Sequence, residues 1–196
     1  MSKKPFDPLM NDRWPSLCVV AGVAQSGKTT YMQMVLQKAR RAGRRSLAID
    51  QVCTRPPQAK HLAIQADYWT DHIPAQLPHD VSLVVCDEYA RLRSELAADT
   101  NPLLQDIIAR GQHTQLHLGG TKAILGTQRP VDLGRKLVSQ AKRWVLFRLR
   151  DSRDLEYVRD LPGMTGEAVD YLPKLPPGYC VVLDEQEGLY LPWVVE

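Results

Sequence analysis

The chain has 196 residues, 44% of them hydrophobic and 24% charged, with a formal net charge of +3. That is room for one domain with a substantial core, and it excludes a disordered polyelectrolyte and a small disulfide-stapled scaffold. The cysteines Cys18, Cys53, Cys86 and Cys180 are widely spaced with no CxxC pair, so they read as reduced thiols in a cytoplasmic protein, not as a zinc site.

Residues 1–15, MSKKPFDPLMNDRWP, are polar and proline-bearing and predict an irregular arm without the apolar centre of a signal peptide. Residues 16–196 read as a single domain. SLCVVAG (Ser16–Gly22) is an unbroken apolar run, the signature of a strand buried on both faces. From Thr29 to about Ala42, Met32, Val35, Leu36 and Ala39 recur at helical spacing, and Gly43 ends the helix. RSLAID (Arg45–Asp50) predicts a second strand, CTRPPQAK a proline-broken loop, and HLAIQADYWTDHIPAQLPHD a short strand with turns at a sheet edge. VSLVVCDEYA (Val81–Ala90) is the most strand-like run. A helix from Pro102 to about Gln112 is expected after an Asn101 cap. TKAILGTQRP (Thr121–Pro130) predicts a strand, Leu133–Gln140 a helix, Arg143–Leu149 a strand and Ser152–Leu161 a helix. Gly178–Val195 reads as a hairpin with an acidic turn at Gly188. No apolar run approaches the length of a membrane span. The alternation predicts an α/β fold: an open, mostly parallel sheet with flanking helices and a C-terminal β-hairpin at one edge.

Three strand tips carry chemistry. GVAQSGKT fits GxxxxGK[ST] in full, with an apolar strand before it and a helix after it. Gly22 and Gly27 permit backbone turns that aim successive N–H groups at one anion. Lys28 brings an ammonium to the phosphates and Thr29 offers a hydroxyl to Mg²⁺. Gln25, Ser26 and Thr30 complete the predicted nucleotide-binding set. LVVCDE places Asp87 and Glu88 at the carboxyl end of a buried strand, where ligands of open α/β sheets gather. Asp87 is the expected Mg²⁺ anchor and Glu88 the group that polarises water. A second acid there suggests that water, rather than a metabolite, is the phosphoryl acceptor. AILGTQRP presents Gln128, a neutral amide able to bond both a γ-phosphate oxygen and the lytic water. Arg129 beside it can pair with a phosphate, an acid or a neighbouring subunit.

Together GVAQSGKTT, LVVCDE and LGTQRP resemble the FtsK/HerA superfamily of P-loop ATPases. AKRWVLFRLRDSRDLEYV resembles that family's strand followed by a Ser-Arg helix, and LPPGYCVVL resembles its "PG" turn before a closing strand. The chain looks most like the small genome-packaging ATPases of tailless, membrane-containing viruses. The resemblance implies an ATP hydrolase using ATP and Mg²⁺ that translocates double-stranded DNA. It implies a homo-oligomer, a pentameric or hexameric ring, with a capsid or viral membrane protein as a docking partner. It also implies an arginine reaching the neighbour's ATP. Arg110, in IIARGQH, is the first candidate, although HTQLHLGG separates it from Thr127 by more than is usual; Arg91 and Arg93 are alternatives.

Other features admit plain readings. KARRAGRR (Lys38–Arg45) suits a solvated helix end or a surface that meets DNA phosphates. His113 and His117 share a spacing but have no third ligand nearby. Arg148, Arg150 and Arg153 are expected at a subunit interface or paired with Asp151 and Asp154. Trp69, Trp144 and Trp193 are expected as packing residues.

Overall fold

The computed structural model describes residues 17–50, 62, 65–70, 78, 80–89, 121–133, 139–185 and 188–194. Strand β1 (Leu17–Ala21) is buried at every position, as its unbroken apolar run requires. Helix α1 (Lys28–Arg41) follows, with Tyr31, Met32, Val35, Leu36 and Ala39 turned into the core at the expected spacing. A backbone cap closes it: Gly43 has φ 68°, its N–H donates to the Arg40 carbonyl at 3.0 Å, and the Arg44 N–H donates to the Ala39 carbonyl at 2.9 Å. Then come β2 (Arg45–Asp50), β3 (Tyr68–Thr70), β4 (Val81–Asp87), β5 (Lys122–Thr127) and β6 (Arg143–Leu146). They are followed by α2 (Ser152–Arg159), α3 (Gly166–Tyr171), β7 (Tyr179–Asp184) and β8 (Gly188–Val194).

The strands form one sheet in the order β3-β2-β4-β5-β1-β6-β7-β8. Every pair from β3 to β6 is parallel, and β7 and β8 add antiparallel strands at one edge. Alternate residues of β1 feed two cores. Cys18 and Val20 pack with Tyr31, Met32, Val35 and Leu36 of α1, while Leu17, Val19 and Ala21 share the other face with Val158 of α2 and Val169 of α3. Helices therefore cover both faces, as expected.

Two short helices show why local caps matter. The Asp151 carboxylate accepts from the Arg153 N–H at the start of α2, and the Thr165 hydroxyl accepts from the Ala168 N–H at the start of α3. Helix α3, at six residues, is too short to show a period in the sequence and was not expected from it. At the amino ends of the parallel strands, Arg143 of β6 pairs with Asp184 of β7 at 2.7 Å, with side chains 2% and 7% exposed.

Some expectations shift. The β4 ladder stops at Asp87 because Glu88 turns into the left-handed region at φ 52°. Strand β6 ends at Leu146; beyond it the Phe147 N–H still donates to the Ala21 carbonyl of β1, and the Arg148 carbonyl accepts from the Val23 N–H of the loop. The start of the helix expected from Leu133 is not helical: Pro130–Asp132 form a 3₁₀ turn and Leu133 is extended, while residues 134–138 lie outside the described set. Trp144 is buried as expected, but Trp69 on the edge strand β3 is 38% exposed. The arm at 1–15, the CTRPPQAK loop, the helix expected at 102–112, and Arg91, Arg93, Arg110, His113 and His117 all lie outside the described residues.

Candidate functional site

Strand β5 stands between β1 and β4, so three parallel strands end side by side. The phosphate loop leaves β1, Asp87 and Glu88 end β4, and Thr127–Gln128 end β5. The three strand-tip motifs of the sequence thus meet at one carboxyl edge. The Gly22 N–H donates to the Thr127 carbonyl at 3.2 Å and the Val23 N–H to the Arg148 carbonyl at 2.9 Å, which ties the loop's start to both neighbouring strands.

The loop leaves no room for side chains at its glycines. A Cβ on Gly22 would lie 2.6 Å from the Phe147 Cβ and 2.8 Å from the Ser26 Oγ. Gly27 combines φ 115° with a virtual Cβ 2.9 Å from the Phe147 ring. Gln25 is also left-handed, at φ 59°; among the described residues, it and Glu88 are the two non-glycine residues with positive φ. Such conformations cost on the order of 1 kcal/mol and persist where the surroundings impose them. The Ser26 hydroxyl is buried and has no hydrogen-bond partner. A cleft of about 390 Å³ opens over Gln25, Ser26, Gly27, Lys28, Thr29 and Thr30, and is closed on one side by Pro177 and Gly178. The Gly178 N–H donates to the Ser26 carbonyl at 2.9 Å.

Lys28 is 5% exposed, and its ammonium donates to the Gly22 carbonyl at 2.7 Å and the Val23 carbonyl at 3.1 Å. Burial lowers its pKa, while Glu88 and Asp87 oppose that shift. The Thr29 hydroxyl donates to Asp87 Oδ2 at 3.1 Å. Asp87 Oδ1 accepts from the Glu88 N–H at 3.0 Å. Gly126 makes space for that carboxylate: a Cβ there would lie 2.9 Å from Asp87 Oδ1 and 3.1 Å from the Met32 methyl. Gly126→Ala is expected to displace Asp87, lowering Mg²⁺-dependent nucleotide affinity about tenfold while destabilising the fold by about 1–3 kcal/mol. Calorimetric titration with and without Mg²⁺ separates the two effects.

Asp50, at the end of β2, is the cross-strand partner of Asp87 and is 5% exposed. It was not singled out in the sequence, although RSLAID ends in an acid after an apolar run just as LVVCD does. Burial raises the Asp87 pKa from 3.8 to about 6, with Glu88 and Asp50 adding to the rise and Lys28 and Thr29 opposing it. The folded chain therefore holds more protons than the unfolded chain between those two values, and this carboxyl's contribution to stability is lost as pH rises from about 4 to about 6. Asp87→Asn is expected to remove that decline. At pH 7 it raises the nucleotide-free protein's stability by about 1–3 kcal/mol, read from denaturant melts.

The Gln128 side-chain amide donates to Glu88 Oε1 at 3.0 Å, joining the β4 and β5 tips across an exposed bond. Arg129 turns away from the cleft toward acids of its own chain: Asp151 at 3.5 Å, Asp154 at 3.8 Å and Asp132 at 4.0 Å. Asp154 is buried and also accepts from the Val131 N–H at 3.2 Å, pinning the turn after β5 to the start of α2. Arg153, expected near Asp151 and Asp154, lies 3.6 Å from Asp151.

The donor set fits a Mg²⁺-bound nucleoside triphosphate. An orphaned buried hydroxyl and a turn whose two glycines admit no side chain suit an oxyanion, and an adjacent hydroxyl–carboxylate pair provides hard oxygen ligands of the kind Mg²⁺ takes. Pro177 and Gly178 are wall residues that sequence reasoning did not place here; their signal was the PPGY turn ahead of β7.

No family model and no curated protein matches the chain. Solved structures do. The DNA-packaging ATPase B204 from Sulfolobus turreted icosahedral virus is 16% identical over 92% of this chain and 97% of that one, with a TM-score of 0.67. The genome-packaging NTPase B204 from Sulfolobus turreted icosahedral virus 2, in complex with ATP-gammaS, is 14% identical over 97% and 100%, at 0.65. The pCW3 conjugation coupling protein TcpA is 14% identical over 93% of this chain and 61% of that one, at 0.63. The chain shares with these proteins the fold of a P-loop NTPase, the fold that the resemblance of GVAQSGKTT, LVVCDE and LGTQRP implies.

Proposed function

We propose that this chain is a Mg²⁺-dependent ATPase that assembles into a ring in the cytoplasm and moves double-stranded DNA, packaging a viral genome into a capsid. The observation that carries the reading is the Glu88–Gln128 bond beside the phosphate loop. A metabolite kinase must shield its phosphoryl group from water. Here the second acid is only half-buried and its bond to Gln128 is exposed, so water reaches the site. The B204 structures are described as DNA-packaging or genome-packaging enzymes, which supports the viral form of the reading.

When bound, ATP with Mg²⁺ supplies a labile phosphoanhydride and a neutralising cation. The chain's own groups do the rest. The loop N–H groups, Ser26 and Lys28 would hold the phosphates, Thr29 and Asp87 would hold the metal, Glu88 would take the proton of the attacking water, and Gln128 would orient Glu88. An arginine from the neighbouring protomer, with Arg110 the first candidate, completes the charge balance. Likeness to TcpA supports a second reading, a plasmid-transfer pump, which predicts docking to a transfer complex instead of a capsid or viral membrane protein.

The test is ATP turnover with and without long duplex DNA of mixed sequence. Severalfold stimulation is expected. A flat response overturns the motor reading in favour of a kinase or a nucleotide-gated assembly factor.

A further inference from the structure

The cations at the end of α1 are not absorbed by the nucleotide site. α1 has 14 residues, so its C-terminus lies about 20 Å from the phosphate loop at the opposite edge of the sheet. Lys38, Arg40 and Arg41 occupy its last turn, and Arg44 follows the cap. Arg40 and Arg41 are exposed and Lys38 and Arg44 half-buried. Among the described residues, none of these four side chains makes a hydrogen bond or ion pair, and the Lys38 ammonium is buried without a partner.

The ordinary reason for cations at a helix end is to satisfy its carbonyls and complement its dipole. The backbone cap already serves the carbonyls of Lys38, Ala39 and Arg40 through the N–H groups of Ala42, Gly43 and Arg44. One cation suffices for the dipole, and like charges three or four positions apart repel. The contrast with the next cation is direct: Arg45 is held by Asp80 at 2.9 Å. Across the sheet edge, Lys122 at the start of β5 is half-buried, and burial together with the charges of Arg44 and Arg143 lowers its pKa. Among the described residues, Arg40, Arg41 and Arg44 thus form a patch of crowded positive charge that no ion pair balances.

We infer that the last turn of α1 together with Arg44 is the surface on which the phosphate backbone of duplex DNA docks. Charge complementarity selects the occupant: unpaired guanidinium groups on a helix end match closely spaced phosphates and read no base sequence. This rests on the DNA-motor reading, and it adds where the duplex is gripped, at the edge remote from the nucleotide cleft.

The test uses the full chain, a fluorescent mixed-sequence duplex, and anisotropy titrations over a range of salt. The triple variant Arg40→Ala, Arg41→Ala, Arg44→Ala is expected to bind at least about tenfold more weakly and to lose about 2–3 from the log–log salt slope. The lysine counterpart, with Lys at the same three positions, keeps the charge and is expected to retain most of the affinity. An undiminished unfolding midpoint shows that each variant is folded. Equal affinity and slope for the alanine variant and the parent overturn this assignment alone. A parent chain that binds no duplex overturns the motor reading and the patch with it.

Discussion

Glu88→Gln is expected to lower ATP turnover by about 10²–10⁴-fold while leaving nucleotide binding in place. The substitution keeps the shape of the side chain and keeps an acceptor for the Gln128 amide, which now donates to Glu88 Oε1 at 3.0 Å. It removes only the ability to take a proton. The groups that would hold phosphate and metal lie elsewhere, in the loop, at Lys28 and on the Thr29–Asp87 pair. The variant should therefore trap ATP, measured as retained radiolabel after gel filtration. Turnover within a few-fold of the parent would show that Glu88 is not the base. Gln128→Ala then serves as the companion: it frees the Glu88 side chain without altering its charge, and its loss should fall mainly on the rate and much less on affinity.

Arg143→Ala is expected to produce the largest loss of stability, about 3–5 kcal/mol, or roughly 10 °C in the unfolding midpoint of a chain this size. Arg143 and Asp184 form a pair almost wholly removed from water. Taking the cation away leaves a carboxylate buried between β6 and β7. Replacing both partners, Arg143→Met with Asp184→Leu, should recover most of the loss, because two apolar side chains need no partner there. Nucleotide affinity should follow neither change, since the pair sits at the amino end of the strands and the cleft at the carboxyl end. Thermal melts, with ligand titrations alongside, check all of these outcomes.

The parts of the site legible in sequence are those whose signal is local. GVAQSGKT announces itself because the loop, its strand and its helix are contiguous. LVVCDE and LGTQRP were legible as polar tips on apolar strands. What brings the three together is strand order, and nothing in the run of residues states that β5 lies between β1 and β4. Pairings across long separations were equally hidden. Asp50 joins the acids only through its register with Asp87. Pro177 and Gly178 wall the cleft only because β7 lies two places from β1 in the sheet. Arg129 had several open partners in sequence, and the fold chooses acids of its own chain because α2 starts beside the turn after β5. Boundaries shifted by a residue or two at Phe147 and Arg148, which extend the β6 pattern: Phe147 still bonds Ala21 at the end of β1, and Arg148 bonds Val23 of the loop.

The bond from the Gly178 N–H to the Ser26 carbonyl joins points about 150 positions apart. The motif at residues 22–30 therefore reaches its working shape only after residue 178 has been synthesised. A nascent chain halted before β7 would carry the entire GVAQSGKT signature and yet present an unbraced turn. Competence to grip a triphosphate should thus appear late and abruptly along a series of progressively longer C-terminal endpoints, with the step falling where Gly178 and the strand behind it are added.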